Sequence, residues 1–219
     1  MIENSSDVVV IGGGVAGLST AMQLARRGVS VTVLERDKIG NGSTGRAAGL
    51  LGQLRGTAEH TRMLMDGVKI VQELEEQAGT EIYVQTGSVR VAETAEREKE
   101  IADLVEMGRS IDFDIAPMAT DELAKRMPYM RTDDVAAACW CPTDGHLQPA
   151  ELAAAYHKVG RDHGVRYETS CPVTGVLLDG SKARGEETPR DEFYAPILVN
   201  AAGPWSHLVA GLTGTTLPP

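Results

Sequence analysis

The residues whose types and spacing best suit chemistry lie near the start of the chain. Gly12, Gly14 and Gly17 form a Gly-x-Gly-x-x-Gly turn with Val15 and Ala16 between the last two glycines, and Glu35 follows 18 residues after Gly17. Gly12 lets the chain turn tightly out of a strand. Gly14 leaves no Cβ in the path of an approaching phosphate, and Gly17 lets helix and strand pack closely. A helix opening at such a turn offers free N–H groups and partial positive charge to phosphate oxygens. A carboxylate at Glu35 is placed to accept bonds from ribose hydroxyls. Together these are the parts of a dinucleotide site.

The elements needed to hold those parts occur in order. Residues 7–11 read as a short apolar strand, residues 18–27 as an amphipathic helix stopped by Gly28, and residues 29–34 as a second strand ending on Glu35. That is one βαβ unit. Residues 36–53 form a loop rich in glycine and small residues, suited to close backbone approach to a ligand. Residues 59–78 read as a helix with Leu64, Val68, Val71 and Leu74 on one face and Gly79 as its stop. Residues 81–84 and 86–92 read as a hairpin turning at Gly87. Residues 94–111 read as a charged helix. Thr120 reads as the N-cap of another, with Asp121 and Glu122 in its first turn and Pro128 past its end. Residues 135–141 are a strand, and Pro149 opens a helix that stops at Gly164. Strands follow over 165–169, 173–178 and 197–199. Helix–strand alternation resumes only after residue 144, so a more antiparallel module interrupts a nucleotide domain.

Bulk properties exclude several classes. The chain has 219 residues, 42% hydrophobic and 24% charged, with net charge −10. That balance speaks against nucleic acid and anionic membrane partners, which need a basic face. No apolar run is long enough to span a bilayer, and residues 1–6 lack the basic region of a signal peptide. Cys139, Cys141 and Cys171 make neither a disulfide framework nor a zinc set, and Cys139 and Cys141 sit at alternate strand positions as core or edge thiols. A reducing cytoplasm is the expected compartment. His60, His146, His157, His163 and His207 show no metal spacing, so no metal is expected, and no general base or other catalytic residue is assigned.

Four segments, in order, resemble the FAD-dependent D-amino acid oxidase superfamily, in the branch of sarcosine oxidase, glycine oxidase and dimethylglycine dehydrogenase. They are the βαβ unit with Glu35-Arg36, the loop Gly42-Ser-Thr-Gly-Arg-Ala-Ala-Gly49, the segment Asp144-Gly-His-Leu-Gln-Pro149 with its helix, and the pair formed by residues 172–176 and 199–205. The resemblance implies an α/β fold: a Rossmann-like FAD-binding domain with an inserted α+β substrate-domain portion, truncated at the C-terminus relative to that family. The implied domains are residues 1–80 (FAD-binding, first part), 81–143 (substrate-domain portion) and 144–219 (FAD-binding, second part).

The resemblance also implies roles. Gly12, Gly14, Val15, Ala16, Gly17, Glu35 and Arg36 hold the nucleotide. Ser43, Thr44, Arg46, Ala47 and Ala48 pass the pyrophosphate, and Gly49, Leu50 and Gln53 lie along the flavin ring. The backbone at Val173 meets adenine, and Ala201, Ala202, Gly203 and Trp205 pack beside the pyrophosphate. Arg46 stands where the dimethylglycine dehydrogenase branch often has a histidine bonded to flavin, so the FAD is expected to be non-covalent. Arg55 is placed to pair with a substrate carboxylate, the alternative being a structural or exposed charge. The implied reaction oxidises the C–N bond of a secondary or N-methylated amino acid or amine, giving an imine that water hydrolyses. Two alternatives stay open. One is an NAD(P)-dependent Rossmann dehydrogenase, since Glu35 fits either cofactor, although the loop at 40–49 and Ala201-Ala-Gly203 favour FAD. The other is an FAD-binding half that is inactive without a partner subunit or its missing C-terminal half.

Overall fold

The structure is a computed structural model that describes residues 4–217. The chain divides into two compact units. One comprises residues up to Ala48, Leu74–Thr80 and residues from Gln148 on; the other comprises Gly49–Glu73 and Glu81–Leu147. One division falls at 80/81 and another at 147/148 rather than 143/144, and residues 49–73 group with the inserted module. The segment after the glycine-rich loop and most of the following helix pack with the inserted module, and the module extends through Leu147.

In the first unit, strand β1 (Val8–Ile11) leads into helix α1 (Val15–Ala25) and strand β2 (Val31–Leu34). A parallel sheet runs β13 (Ile197–Asn200), β1, β2, β9 (Arg166–Glu168). Strand β1 is apolar at every position because both of its faces are covered. Val8 and Val10 pack with Ala21 of α1, Val31, Val33 and Val165. Val9, with Leu34, packs against Cys171, Phe193 and Ala195. Phe193 belongs to an antiparallel meander of β10 (Gly175–Asp179), β11 (Lys182–Glu187) and β12 (Glu192–Tyr194). Helix α5 (Pro149–Asp162) has Pro149 in its first turn and packs against α1. Gly164 follows it with φ of +86°, the left-handed conformation that ends a helix.

The second unit holds two antiparallel sheets. Strands β3 (Leu50–Leu51), β8 (Gly145–Leu147) and β4 (Tyr83–Gln85) form one; β5 (Ser88–Ala92), β7 (Ala137–Cys141) and β6 (Ala116–Met118) form the other. The expected hairpin at Gly87 is therefore corrected: β4 and β5 do not pair, but enter different sheets. Gly87, with φ of +72°, redirects the chain, and its N–H donates to the Asp144 carbonyl at 2.7 Å. A Cβ there would stand 1.9 Å from the Trp140 ring, so no other residue fits without displacement. Helix α2 (Ala58–Ala78) buries Val68, Val71 and Leu74, as its spacing predicts. Helix α3 (Ala95–Ser110) is capped by Thr94, whose hydroxyl accepts from the Arg97 N–H. Thr120 is not a cap: Ala119 takes that position, and Thr120 is the first residue of α4 (Thr120–Arg126). Cys139 and Cys141 are fully buried on β7 and, like Cys171, carry free thiols.

Candidate functional site: a glycine turn closed by two loops

The site in the first unit is built around the turn between β1 and α1. Gly12 has φ of +115°, and a Cβ on it would meet the Ala201 carbonyl oxygen at 2.4 Å. A Cβ on Gly17 would stand 1.9 Å from the Gly12 carbonyl oxygen. The absence of side chains at these two positions is therefore a packing requirement, and Ala201 closes the same turn by donating its N–H to the Ile11 carbonyl at 2.9 Å. Gly14 is the N-cap of α1 and supplies no side-chain cap. The first turn of α1 thus keeps backbone donors and the positive end of the helix dipole facing outward.

Two further groups shape the turn. One oxygen of Glu35 accepts from the Gly13 N–H at 2.7 Å and the other from the Asp37 N–H at 2.8 Å. The carboxylate that ends β2 is thereby locked against the glycine turn, and each oxygen keeps a lone pair for a further donor. The loop after β2 folds back over the helix terminus: Gly40 donates to the Gly13 carbonyl at 2.9 Å, and the Thr44 hydroxyl accepts from the Val15 N–H at 3.0 Å. Thr44 starts a single turn of 3-10 helix (Thr44–Arg46). Arg36 stacks its guanidinium 3.8 Å from the centre of the Trp205 ring, and Gly42 lies against the same indole.

The structure thus brings together Gly12, Gly14, Val15, Gly17, Glu35, Thr44 and Ala201, and joins Arg36 to Trp205. Ala16 occupies the exposed first turn of α1, beside Val15. Ser43, Ala47 and Ala48 are exposed in the loop. Arg46 donates to the carbonyls of Asn41 and Gly42 in its own loop, so part of its guanidinium serves to close that loop. Ala202 and Gly203 lead into a second 3-10 turn, Gly203–Trp205, with Gly203 at φ of +58°. Val173 is half-buried beside Cys171 and Phe193. Sequence reasoning missed Gly13, Gly40 and the capping by Thr44. Gly13 lies between Gly12 and Gly14, but contacts across 22 and 29 residues leave no local signal.

Several expected residues lie in the second unit. Gly49 has φ of +74°, and Leu50 is 83% exposed while pairing with His146 on β8. Gln53 does not present its side chain to a ligand. It is 4% exposed, and its amide donates to the Thr143 carbonyl and hydroxyl and to Asp144. Its backbone N–H also donates to Asp144 at 2.8 Å. The reason is that Asp144, itself 2% exposed, needs donors once it leaves water; the Ser88 hydroxyl supplies another at 2.6 Å. Arg55 is exposed and donates to the Leu54 carbonyl at 2.8 Å.

The residues fit a dinucleotide: a turn that excludes Cβ atoms, a helix terminus whose N-cap residue, Gly14, supplies no side chain of its own, and a fixed carboxylate at the end of the second strand. Comparison with known proteins identifies which one. Residues 7–219 match the model of the DAO family, FAD dependent oxidoreductase. Human (Homo sapiens) sarcosine dehydrogenase is 30% identical over 225 residues, covering 99% of this chain and 24% of that protein. Dimethylglycine dehydrogenase of Rattus norvegicus is 32% identical over 223 residues, covering 99% of this chain and 25% of that protein. Among solved structures, L-proline dehydrogenase from P. horikoshii superposes with a TM-score of 0.91 at 28% identity, over 97% of this chain and 57% of that one. The chain therefore spans about a quarter of the length of these two curated relatives. The family match sets aside the nicotinamide alternative: this chain belongs to the FAD-dependent oxidoreductases of the DAO family.

Proposed function

We propose that the protein carrying this chain oxidises the C–N bond of a secondary or N-methylated amino acid, with non-covalent FAD as the electron acceptor. Bound FAD supplies two-electron acceptance from the carbon beside the amine. The chain's own residues supply its anchorage. The first turn of α1 receives the pyrophosphate, Glu35 accepts from the ribose hydroxyls, and the Thr44 loop lies beside the phosphate path. The observation that carries the reading is the fixed Glu35 carboxylate, held by Gly13 and Asp37 with acceptor capacity to spare.

Similarity to sarcosine and dimethylglycine dehydrogenases supports the choice of an N-methylated substrate. An arginine at position 46 supports non-covalent attachment, because a guanidinium does not readily form the bond to flavin. The adenine contact at Val173 and the packing of Ala201, Ala202, Gly203 and Trp205 beside the pyrophosphate belong to the same proposal, as does Arg55 as a contact for the substrate carboxylate. A partner subunit or further segment for turnover is also part of it, as is a reducing, cytoplasmic setting consistent with three buried free thiols. The test is reduction of the FAD-loaded protein by sarcosine and dimethylglycine under anaerobic conditions, with the relatives' longer C-terminal portion supplied in trans. Bleaching of the flavin band by either amine is expected. A properly loaded, folded assembly that neither amine bleaches would overturn the substrate class.

A further inference from the structure

The loop after β2, which folds back over the start of α1, carries a reactive dipeptide. Asparagine occurs at positions 4, 41 and 200, and of these Asn41 alone is followed by glycine. A backbone nitrogen that attacks the side chain of the preceding asparagine closes a succinimide ring, and glycine offers no Cβ to block the approach. Asn41 is exposed. The N–H of Gly42, the attacking group, has no hydrogen-bond partner among the described residues. Packing does not demand glycine here. Its φ lies outside the left-handed region, and a Cβ on it would stand 3.7 Å from the Trp205 ring, an ordinary contact.

Two neighbours bear on that reaction. Arg46 donates from Nη1 to the carbonyl of Asn41 and, at 3.0 Å, to that of Gly42. The Asn41 carbonyl and the Gly42 N–H belong to one peptide group. When that N–H gives up its proton, negative charge spreads onto the carbonyl oxygen, where a guanidinium already donates. Asp37 accepts from Nδ2 of Asn41, the atom that would leave as ammonia. The Asp37 N–H in turn holds one oxygen of Glu35 at 2.8 Å. We propose that Asn41 and Gly42 form a self-modifying site: Asn41 deamidates through a succinimide, promoted by Arg46, and the carboxylate so formed loosens the turn that fixes Glu35. The Gly42 nitrogen gives its proton to hydroxide and bonds to Cγ of Asn41. The Cγ–Nδ2 bond breaks, and Nδ2 takes up a proton and leaves as ammonia. One water then opens the ring at either carbonyl, giving aspartate or isoaspartate. The product sets a second carboxylate where Asp37 had a donor, and like charges at that separation repel. The consequence for FAD rests on the cofactor anchorage proposed above; the conversion of Asn41 does not.

The test holds the full chain at pH 8.5 and follows the exchange of amide for acid by peptide mass spectrometry. Conversion at Asn41 is expected, with Asn4 and Asn200 intact over the same interval. Gly42→Ala, whose Cβ the loop accommodates, is expected to slow it about tenfold or more by obstructing the attack. Arg46→Gln is expected to slow it about tenfold, the effect of losing one charge-assisted hydrogen bond to the reacting group. Arg46→Lys keeps the charge, should recover part of the rate, and serves as the second variant should the glutamine protein fail to fold. An unconverted parent, or a rate equal to the parent's in Gly42→Ala or Arg46→Gln, would overturn the site. Asn41→Asp is expected to bind FAD about tenfold more weakly than the fresh parent. Equal affinity would overturn the link to the cofactor turn. Flavin absorbance of the same samples separates the two ideas. Conversion in a parent that retains no flavin counts against the proposed anchorage, and retained flavin without conversion counts against the self-modifying site alone.

Discussion

Glu186→Gln is expected to remove a pH-dependent contribution to the stability of the first unit. Glu186 lies on the central strand of the meander, opposite Val176 and Phe193, and is completely buried. Neither carboxyl oxygen has a hydrogen-bond partner among the described residues. Burial therefore penalises the ionised form and pushes its pKa from the ordinary 4.5 up to about 8. The sign follows directly. The folded protein keeps a proton that the unfolded chain gives up above pH 4.5, so this group's contribution is intact at low pH. It is lost progressively as pH rises, and the loss is complete once pH passes the folded value of about 8. At about 1.4 kcal/mol for each pH unit crossed, the total has an upper bound of about 5 kcal/mol. Glu186→Gln keeps the shape and the buried polar atoms but cannot ionise. Urea unfolding of both proteins, followed by tryptophan fluorescence at pH 5 and at pH 8.5, isolates the effect, because all other groups cancel in the difference. The glutamine variant is expected to gain several kcal/mol on the parent between the two pH values. An unchanged difference would refute the assignment of Glu186 as a buried, neutral acid.

Other perturbations probe the cofactor turn. Glu35→Ala removes the acceptor for Gly13 and Asp37 as well as for ribose, and should weaken FAD binding by about 1.5–3 kcal/mol, read by equilibrium dialysis. Affinity equal to the parent would remove Glu35 from the site. Gly14→Val should weaken FAD further by filling the phosphate's path, and Gly17→Val should disrupt the turn itself, since its Cβ meets the Gly12 oxygen at 1.9 Å. Circular dichroism with FAD titration would distinguish a folded non-binder from an unfolded chain. Trp205→Ala removes the surface beneath Arg36 and should cost about 0.5–1 kcal/mol of thermal stability at this partly exposed position. No change in melting would show the stack to be incidental. Asp144→Ala strands the donors of Gln53 and Ser88 and should cost about 1–3 kcal/mol or more. Hydrogen exchange at the Gln53 amide should rise with it.

The glycine turn was legible because each of its constraints is local. A strand apolar on both faces, three glycines at fixed spacing and an acid at the end of the next strand are written within one βαβ unit. Helix α2 was legible from its apolar stripe, and α5 from Pro149 and Gly164. Strands β11 and β12 were not legible. Lys182-Ala-Arg-Gly-Glu-Glu187 carries no apolar alternation, and its strand form comes from ladders on both sides, with β10 and β12. Gln53 was misread as facing a ligand because its donors answer to Asp144, 91 residues away. The same holds for Gly87, whose turn looks like a hairpin in sequence but separates two sheets.

The most direct test of the central claim is the visible spectrum of the chain after incubation with FAD and gel filtration, before and after acid precipitation. The account predicts a flavin band that travels with the folded protein and passes into the acid supernatant. A folded chain that emerges colourless would contradict a built FAD site in these residues, and flavin held in the acid pellet would contradict non-covalent binding.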